Sequence, residues 1–452
     1  MLFTESLLEF HRIFTLQDYN DSIENIIKPL ISAPIPAGRD GERKKYIRNS
    51  EELYMDTRGI SKLDLKRRNR KQILLSIRQA GMLARVDIAA QLSLTRAAVT
   101  IITNQMIAQN ILEDMNGPIV ENNNEPKRKG RKKTMIRINP DFRYVLGAVV
   151  NEREISIGLS DLAGAPIDSR FLEFNDDAKA EELVKFIVTS CRELMKKHSL
   201  SNKQILGLGV GIVPARWEMF RAENNNGIVS FEKLCYLLEM ELSLPVLAES
   251  AITLYALSSI DYSDAATFNQ NLIFYGQKIH CATLIENELV GGFAVDTSTV
   301  DRIVIVPNGT PCEGYPDGSV HAELTSAAVL AKVTAALGQD NITMEQVRNE
   351  LAAGNPTISE ILEPAFASLA RLIYNLCTGR NVRCATLQCF PVSERAKSAL
   401  DSELLKLTGN ENPILLRFSD VDGRNAFLAG CTLAIDKLFF ETGGILPGDT
   451  TI

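Results

Sequence analysis

Seven consecutive residues, Lys127-Arg128-Lys129-Gly130-Arg131-Lys132-Lys133, set six cations around one glycine. Their chemistry is polyanion binding. Ammonium and guanidinium groups pair with phosphates, a glycine lets the backbone approach, and an arginine such as Arg131 fits a narrow minor groove. Upstream, Thr95, Arg96, Thr100 and Asn104 recur at about one-turn spacing. Hydroxyl, guanidinium and amide groups of this kind bond base edges or phosphates from a helix lying in the major groove.

Such a reader needs a helical frame. From Lys66 the pattern turns helical, with Ile73, Leu74 and Ile77 on one face and Gly81 past the last turn. A second short helix is expected over residues 85–92, then a Ser93-Leu94 turn, then a helix capped by Thr95 and running to about Asn110. Val99, Ile102 and Met106 face inward along it. Ala89, Ser93 and Val99 match the helix-turn-helix spacing: a small residue where helices cross, a tight turn, and a branched apolar anchor beneath the reading helix. Glycine is usual in that turn, and Ser93 departs from it. Short strands at 111–115 and 134–138 around the basic loop make a wing.

Charge sets this segment apart. Residues 61–140 carry sixteen Lys/Arg against six Asp/Glu, a net +10, while the whole chain stands at −7. A basic module on an acidic body points to a polyanion partner for the module. Composition is that of a globular protein, 45% hydrophobic and 23% charged, and the length predicts two or three domains. No apolar run approaches the roughly 18 residues of a membrane span, and MLFTESLLEFHRIF lacks a basic leader, so a cytoplasmic protein is expected. The eight cysteines are scattered without a CxxC pair and read as buried reduced thiols. Residues 1–60, with Pro29, Pro34 and Pro36, read as a partly helical, partly disordered extension.

Beyond Phe142 strands and helices alternate. Three strands (144–151, 154–161, 166–174) precede a helix, a strand (205–213), a helix, a strand (245–249) and a helix. The order then roughly repeats, with strands at 271–275, 279–285, 288–293, 383–390 and 413–418. Three strands, then helix-strand-helix-strand, given twice, is the order of a duplicated actin-like (ribonuclease H-like) α/β fold with a central cleft. The expected organisation is therefore multi-domain α+β: an extension (1–60), a winged helix-turn-helix (61–140) and an actin-like body (141–452) with lobes at about 141–265 and 266–452.

The stretch RNRKQILLSIRQAGMLARVDIAAQLSLTRAAVTIITNQMIAQNIL, followed by GRKKTMIRINPDFRYVLGAVVNEREISIGLSDLAGAPI, resembles the repressor branch of the ROK family (repressors, open reading frames and sugar kinases). The resemblance is close to about Ile167, weaker to Phe440, and excludes the first 60 residues. It implies a winged helix-turn-helix fused to a sugar-kinase fold, homodimers or higher assemblies on palindromic operators, and response to a sugar or sugar phosphate. The family wing, usually Gly-Arg-Pro, reads Gly130-Arg131-Lys132, and Ala84 replaces a capping serine.

Against that family pattern the catalytic parts are missing. No Asp-x-Gly turn appears at 149–155, and one glycine remains in the second phosphate turn, Gly276-Gln277-Lys278-Ile279-His280. Ala251 stands where the family's proton-accepting Asp belongs, and an alanine accepts no proton. The zinc signature keeps Cys312 alone, with Arg302, Gly314 and Ser319 at the other ligand positions. No cofactor, metal or catalytic residue is expected. Effector contacts are placed at Glu249, Ser250, Arg302 and His321, where two cationic side chains suit an anionic sugar derivative; the alternative is that these residues only satisfy one another. Trp217 stacks on a ligand or covers the core. The leading reading is a DNA-binding regulator of carbohydrate-related genes. A sugar kinase with an accessory DNA-binding module and a non-catalytic platform for RNA or acidic protein are its competitors.

Overall fold

The computed structural model describes residues 62–115, 134–220, 231–261, 269–290, 300–339, 341–390, 393–409 and 413–445. The extension and the basic loop, with Lys127, Arg128, Lys129, Arg131 and Lys132, lie outside the described residues.

The first module holds α1 (Lys62–Ala80), β1 (Leu83–Ala84), α2 (Arg85–Gln91), α3 (Arg96–Ala108), β2 (Leu112–Asp114) and β3 (Met135–Ile138). Both β1 and β2 pair antiparallel with β3, which lies between them. The expected inward residues Ile73, Leu74, Ile77, Val99, Ile102 and Met106 are all buried. The strand β1 was not anticipated. Two residues carry no periodicity, and only pairing of Leu83 with Ile136 makes them a strand.

The body contains two five-stranded sheets with one topology. The first comprises β4 (Tyr144–Val150), β5 (Glu154–Asp161), β6 (Pro166–Glu173), β7 (Ile205–Ile212) and β8 (Val246–Ser250) in the order β6-β5-β4-β7-β8. The second comprises β9 (Gln270–Tyr275), β10 (Ile279–Ile285), β11 (Glu288–Leu289), β12 (Cys384–Gln388) and β13 (Leu415–Phe418) in the order β11-β10-β9-β12-β13. In each, the first three strands form an antiparallel meander and the last two run parallel to the first. The duplication read from element order is therefore a duplication of pairing. Parallel strands must be covered on both faces, which is why β4 and β7 are apolar almost throughout.

Helices α4 (Ala180–Lys197) and α5 (Glu232–Leu242) accompany the first sheet, and α6 (Ala251–Asp261) lies against both sheets. Helices α7 (Val320–Leu324), α8 (Ser326–Leu337), α9 (Met344–Ala352), α10 (Pro356–Ile361), α11 (Glu363–Gly379) and α12 (Glu394–Thr408) accompany the second. The last helix, α13 (Phe427–Ile435), continues into a π-turn at Asp436–Phe440 and packs on β4 and β7. Its side chains join one apolar cluster that runs from Ile73 and Leu74 of the first module to Leu272 and Phe274 of the second sheet.

Candidate nucleic-acid interface and interlobe cleft

The candidate reading helix, α3, sits as its spacing requires. Ala89 and Val99 are buried at the crossing, and the Leu94 amide donates to Ala89 O at 3.0 Å. Ser93 holds φ at +52°, in the left-handed region where a side chain is strained and glycine is not. Ser93→Gly is expected to stabilise the module by about 0.5–1 kcal/mol, read as a rise in denaturation midpoint, whereas Ser93→Val should lower it. Equal midpoints for the two variants would contradict this reading of the turn.

Thr95, Arg96, Thr100 and Asn104 all lie on the exposed face of α3. Thr95 is the helix cap, its hydroxyl accepting from the Ala98 amide at 3.2 Å, so its O–H stays available to donate. The Thr100 hydroxyl donates to Arg96 O at 2.8 Å, which leaves it an acceptor towards a base. Arg85, from the start of α2, donates to Thr103 Oγ1 at 3.0 Å and Asn104 Oδ1 at 3.2 Å and pairs with Asp114 at 3.1 Å. With Oδ1 engaged by Arg85, the NH2 group of Asn104 is the part that can donate to a base or phosphate. Sequence reasoning missed Ile101 on this face. It is 60% exposed, an apolar surface suited to a thymine methyl. Its place one residue past Thr100 was the signal.

Three other cations of the basic segment are turned away from this face. Arg70 is 3% exposed, and its Nε donates to Gly443 O at 2.7 Å. The Nε of Arg67 donates to Glu441 O at 3.3 Å. The Arg78 guanidinium pairs with Asp436 and lies 4.6 Å from the centroid of the Phe440 ring. These arginines join the module to the end of the body's last helix.

Turns of the two sheets meet between the lobes. Glu152, in the β4–β5 turn, accepts from the Gln277 amide of the β9–β10 turn at 2.6 Å. A Cβ on Gly276 would fall 2.3 Å from Glu152 Oε1, so this glycine admits the carboxylate. Arg216 fixes the turn from behind, Nε donating to Glu152 O at 2.7 Å and Nη2 to Asp176 at 2.9 Å. Deeper, Tyr255 donates to Asn151 Oδ1 at 2.8 Å, and Asn151 donates to Glu154 at 3.0 Å. Across from them, the Cys389 thiol donates to Asp422 at 3.3 Å. Burial raises the carboxyls of Glu152, Glu154 and Asp422 above their ordinary range. An internal carboxylate thus occupies the two turns that the family pattern gives to phosphates.

The four effector candidates lie in three parts of the chain. Glu249 and Ser250 end β8; the Ser250 amide donates to Glu249 Oε1 at 2.8 Å, and the hydroxyls of Ser250 and Thr253 are buried with no hydrogen-bond partner among the described residues. Burial pushes the Glu249 carboxyl up to about 7. Arg302 lies in a turn ahead of α7, and His321 is in the first turn of α7 itself. Arg302 donates to Gly314 O at 3.0 Å, and His321 stacks flat on Tyr315 with ring centroids 3.7 Å apart. Trp217 donates to Ile212 O at 2.9 Å and meets Phe231 edge-on, so it covers the core of the first lobe. His280 is buried against Phe274 of the neighbouring strand.

The raised Glu249 pKa carries a signed prediction. A carboxyl that holds its proton longer folded than unfolded loses stability as pH rises from about 4.5 to about 7, and the cost persists above. Glu249→Gln should therefore raise stability at pH 8 by on the order of 1–3 kcal/mol and leave it unchanged at pH 4. Thermal melts at the two pH values check this, and an equal effect at both would contradict it.

No protein-family model matches the chain. The xylose repressor of Lactiplantibacillus pentosus is 21% identical over 336 residues, 72% of this chain and 82% of that protein. The xylose repressor of Caldicellulosiruptor bescii is 24% identical over 148 residues, 33% of this chain and 35% of that protein. Among solved structures, a ROK family transcriptional regulator, described as a homolog of the E. coli MLC protein, superposes with a TM-score of 0.63 at 17% identity. That match covers 84% of this chain and 97% of the other. The ROK hexokinase of Thermus thermophilus gives a TM-score of 0.50 at 15% identity, covering 64% of this chain and 98% of the hexokinase. The hexokinase match spans about the share of the chain that the body occupies, and the regulator match extends beyond it. Duplicated sheets, a helical module ahead of them and repressor relatives agree: the chain is similar to xylose repressors and shares its fold with ROK-family proteins.

Proposed function

We propose that the chain is a repressor of carbohydrate-related genes that reads operator DNA through a winged helix-turn-helix formed by residues 61–140. The observation that carries this reading is the exposed face of α3, where Arg96, Thr100, Ile101 and Asn104 stand over the buried anchors Ala89 and Val99. The wing cations Lys127, Arg128, Lys129, Arg131 and Lys132 contribute phosphate contacts and Arg131 a minor-groove contact. The two-lobed body, 141–452, provides dimerisation, so that the protein meets a palindromic operator in the cytoplasm as a homodimer. It also senses a sugar or sugar phosphate through Glu249 and Ser250, with Arg302 and His321 favouring an anionic effector.

The body does this without phosphoryl transfer. Ala251 offers no base, and Glu152 competes with any phosphate for the Gln277 amide. Site selection from random duplex DNA with the full chain tests the proposal: an enriched palindrome supports it. No enriched sequence, or ATP turnover with a sugar panel that a cleft-carboxylate variant abolishes, overturns it.

A further inference from the structure

Of the four arginines of α1, which a DNA-binding module would ordinarily spend on phosphates, Arg67, Arg70 and Arg78 face the protein. Arg70 stands at i, i+4, i+7 spacing with Leu74 and Ile77, so it shares their buried face. Beyond α13 the chain closes its π-turn with Gly443 and Gly444, both at positive φ (+68° and +70°). A Cβ on Gly443 would lie 2.9 Å from Arg67 O and 3.2 Å from Arg70 Cβ, so glycine here brings α1 directly onto the turn. The carbonyls exposed at a helix end carry partial negative charge, and guanidinium groups satisfy them well. Arg67 and Arg70 do so at Glu441 O and Gly443 O.

Arg70 reaches one group further. Its Nη1 donates to Gln109 Oε1 at 2.9 Å, and Gln109 is the C-terminal cap of the reading helix α3. One guanidinium therefore bonds the body's terminal turn and the end of the reading helix at once. Packing and polar contacts share this joint, since Leu74 and Ile77 belong to one apolar cluster with Phe439 and Phe440. On the Arg78 side a cavity of about 290 Å³ opens between module and body, lined by Ile77, Ile138, Leu162, Ile435 and Phe440.

We propose that Arg70 is a positioning residue for operator reading: it clamps the end of α3 to the Gly443 turn and so sets the orientation of the reading helix relative to the body. The clamp acts through α3 and makes no DNA contact, so it governs preference for the operator over other DNA and leaves general affinity alone. The inference rests on the DNA-reading function proposed above.

Its test uses the full chain with Gln109→Ala, which removes the reading-helix end of the clamp, and Arg70→Gln. In the free protein, amide hydrogen exchange should rise at both 107–110 and 441–444 in Gln109→Ala. Against the operator recovered by selection and a scrambled duplex, each variant should lose about five- to tenfold in operator preference, with scrambled-duplex affinity and salt slope unchanged. The double variant should do no worse than Arg70→Gln, since both cut the same link. A parallel loss on both duplexes with a salt slope reduced by about one would make Arg70 a phosphate contact and overturn the proposal. So would exchange confined to 107–110 together with unchanged preference. Should Arg70→Gln fail to fold, Gln109→Ala decides alone. Exchange coupling in a chain that selects no operator supports the clamp and overturns the functional reading.

Discussion

Arg96→Ala combined with Arg131→Ala is expected to weaken operator binding at about 150 mM salt by roughly a hundredfold or more. The argument has two parts. Arg96 opens α3 on its exposed face, where the first residues of a reading helix meet base edges. A well-placed arginine-to-guanine pair discriminates by about 1–3 kcal/mol, so Arg96→Ala alone should cost tenfold or more and relax the preferred sequence at one position. Arg131 belongs to the basic run 127–133, and its proposed minor-groove contact draws mainly on charge. Its loss should weaken all duplexes alike and reduce the salt slope by about one. Anisotropy titrations on operator and scrambled duplex over a range of salt separate the two contributions. A double variant that binds operator as tightly as the wild type removes both residues from the interface.

The frame of this interface was legible in the sequence because it rests on local rules. Ala89, Ser93 and Val99 sit at fixed offsets within 11 residues, and the buried faces of α1 and α3 follow helical spacing. The repeated strand order was legible for the same reason: apolar runs such as β4 and β7 announce themselves. Contacts made across the chain were not legible. Glu152 meets Gln277 over a separation of 125 residues, and Arg216 reaches back 64 to hold it; neither link leaves a local pattern. Net charge hid the roles of Arg67, Arg70 and Arg78, since a count gives a clamp and a phosphate contact the same weight. Helices α9 and α10 were overlooked although Thr343 with Gln346 and Asn355 before Pro356 mark their starts. Both are shorter than three full turns, so their apolar periodicity is weak.

A second large effect is expected where helix α13 crosses the first sheet. A Cβ on Gly209 of β7 would fall 2.0 Å from Gly430 O, and one on Gly430 would fall 2.4 Å from Gly209 O. The obstacle in both cases is backbone, which cannot rotate aside as a side chain does. Gly430→Ala adds the better helix former by about 1 kcal/mol, and Gly209→Ala relieves backbone entropy in a strand. Sterics should nevertheless win. Either substitution has to push α13 off β7, and overpacking of this kind costs about 3 kcal/mol or more. The displacement cannot stay local, because α13 belongs to the apolar cluster that joins both sheets to α1 and leads directly into the turn held by Arg70. The expected result is a chain with a strongly lowered denaturation midpoint and, where it still folds, impaired operator binding although no DNA-facing residue has changed. Gly423→Ala is the control: unlike the two crossing glycines it sits at positive φ (+50°), but nothing lies within 4 Å of its Cβ position, so its cost is limited to backbone strain. Equal midpoints for the Gly209 and Gly423 variants would mean that contact between helix and sheet is not what requires glycine at this crossing.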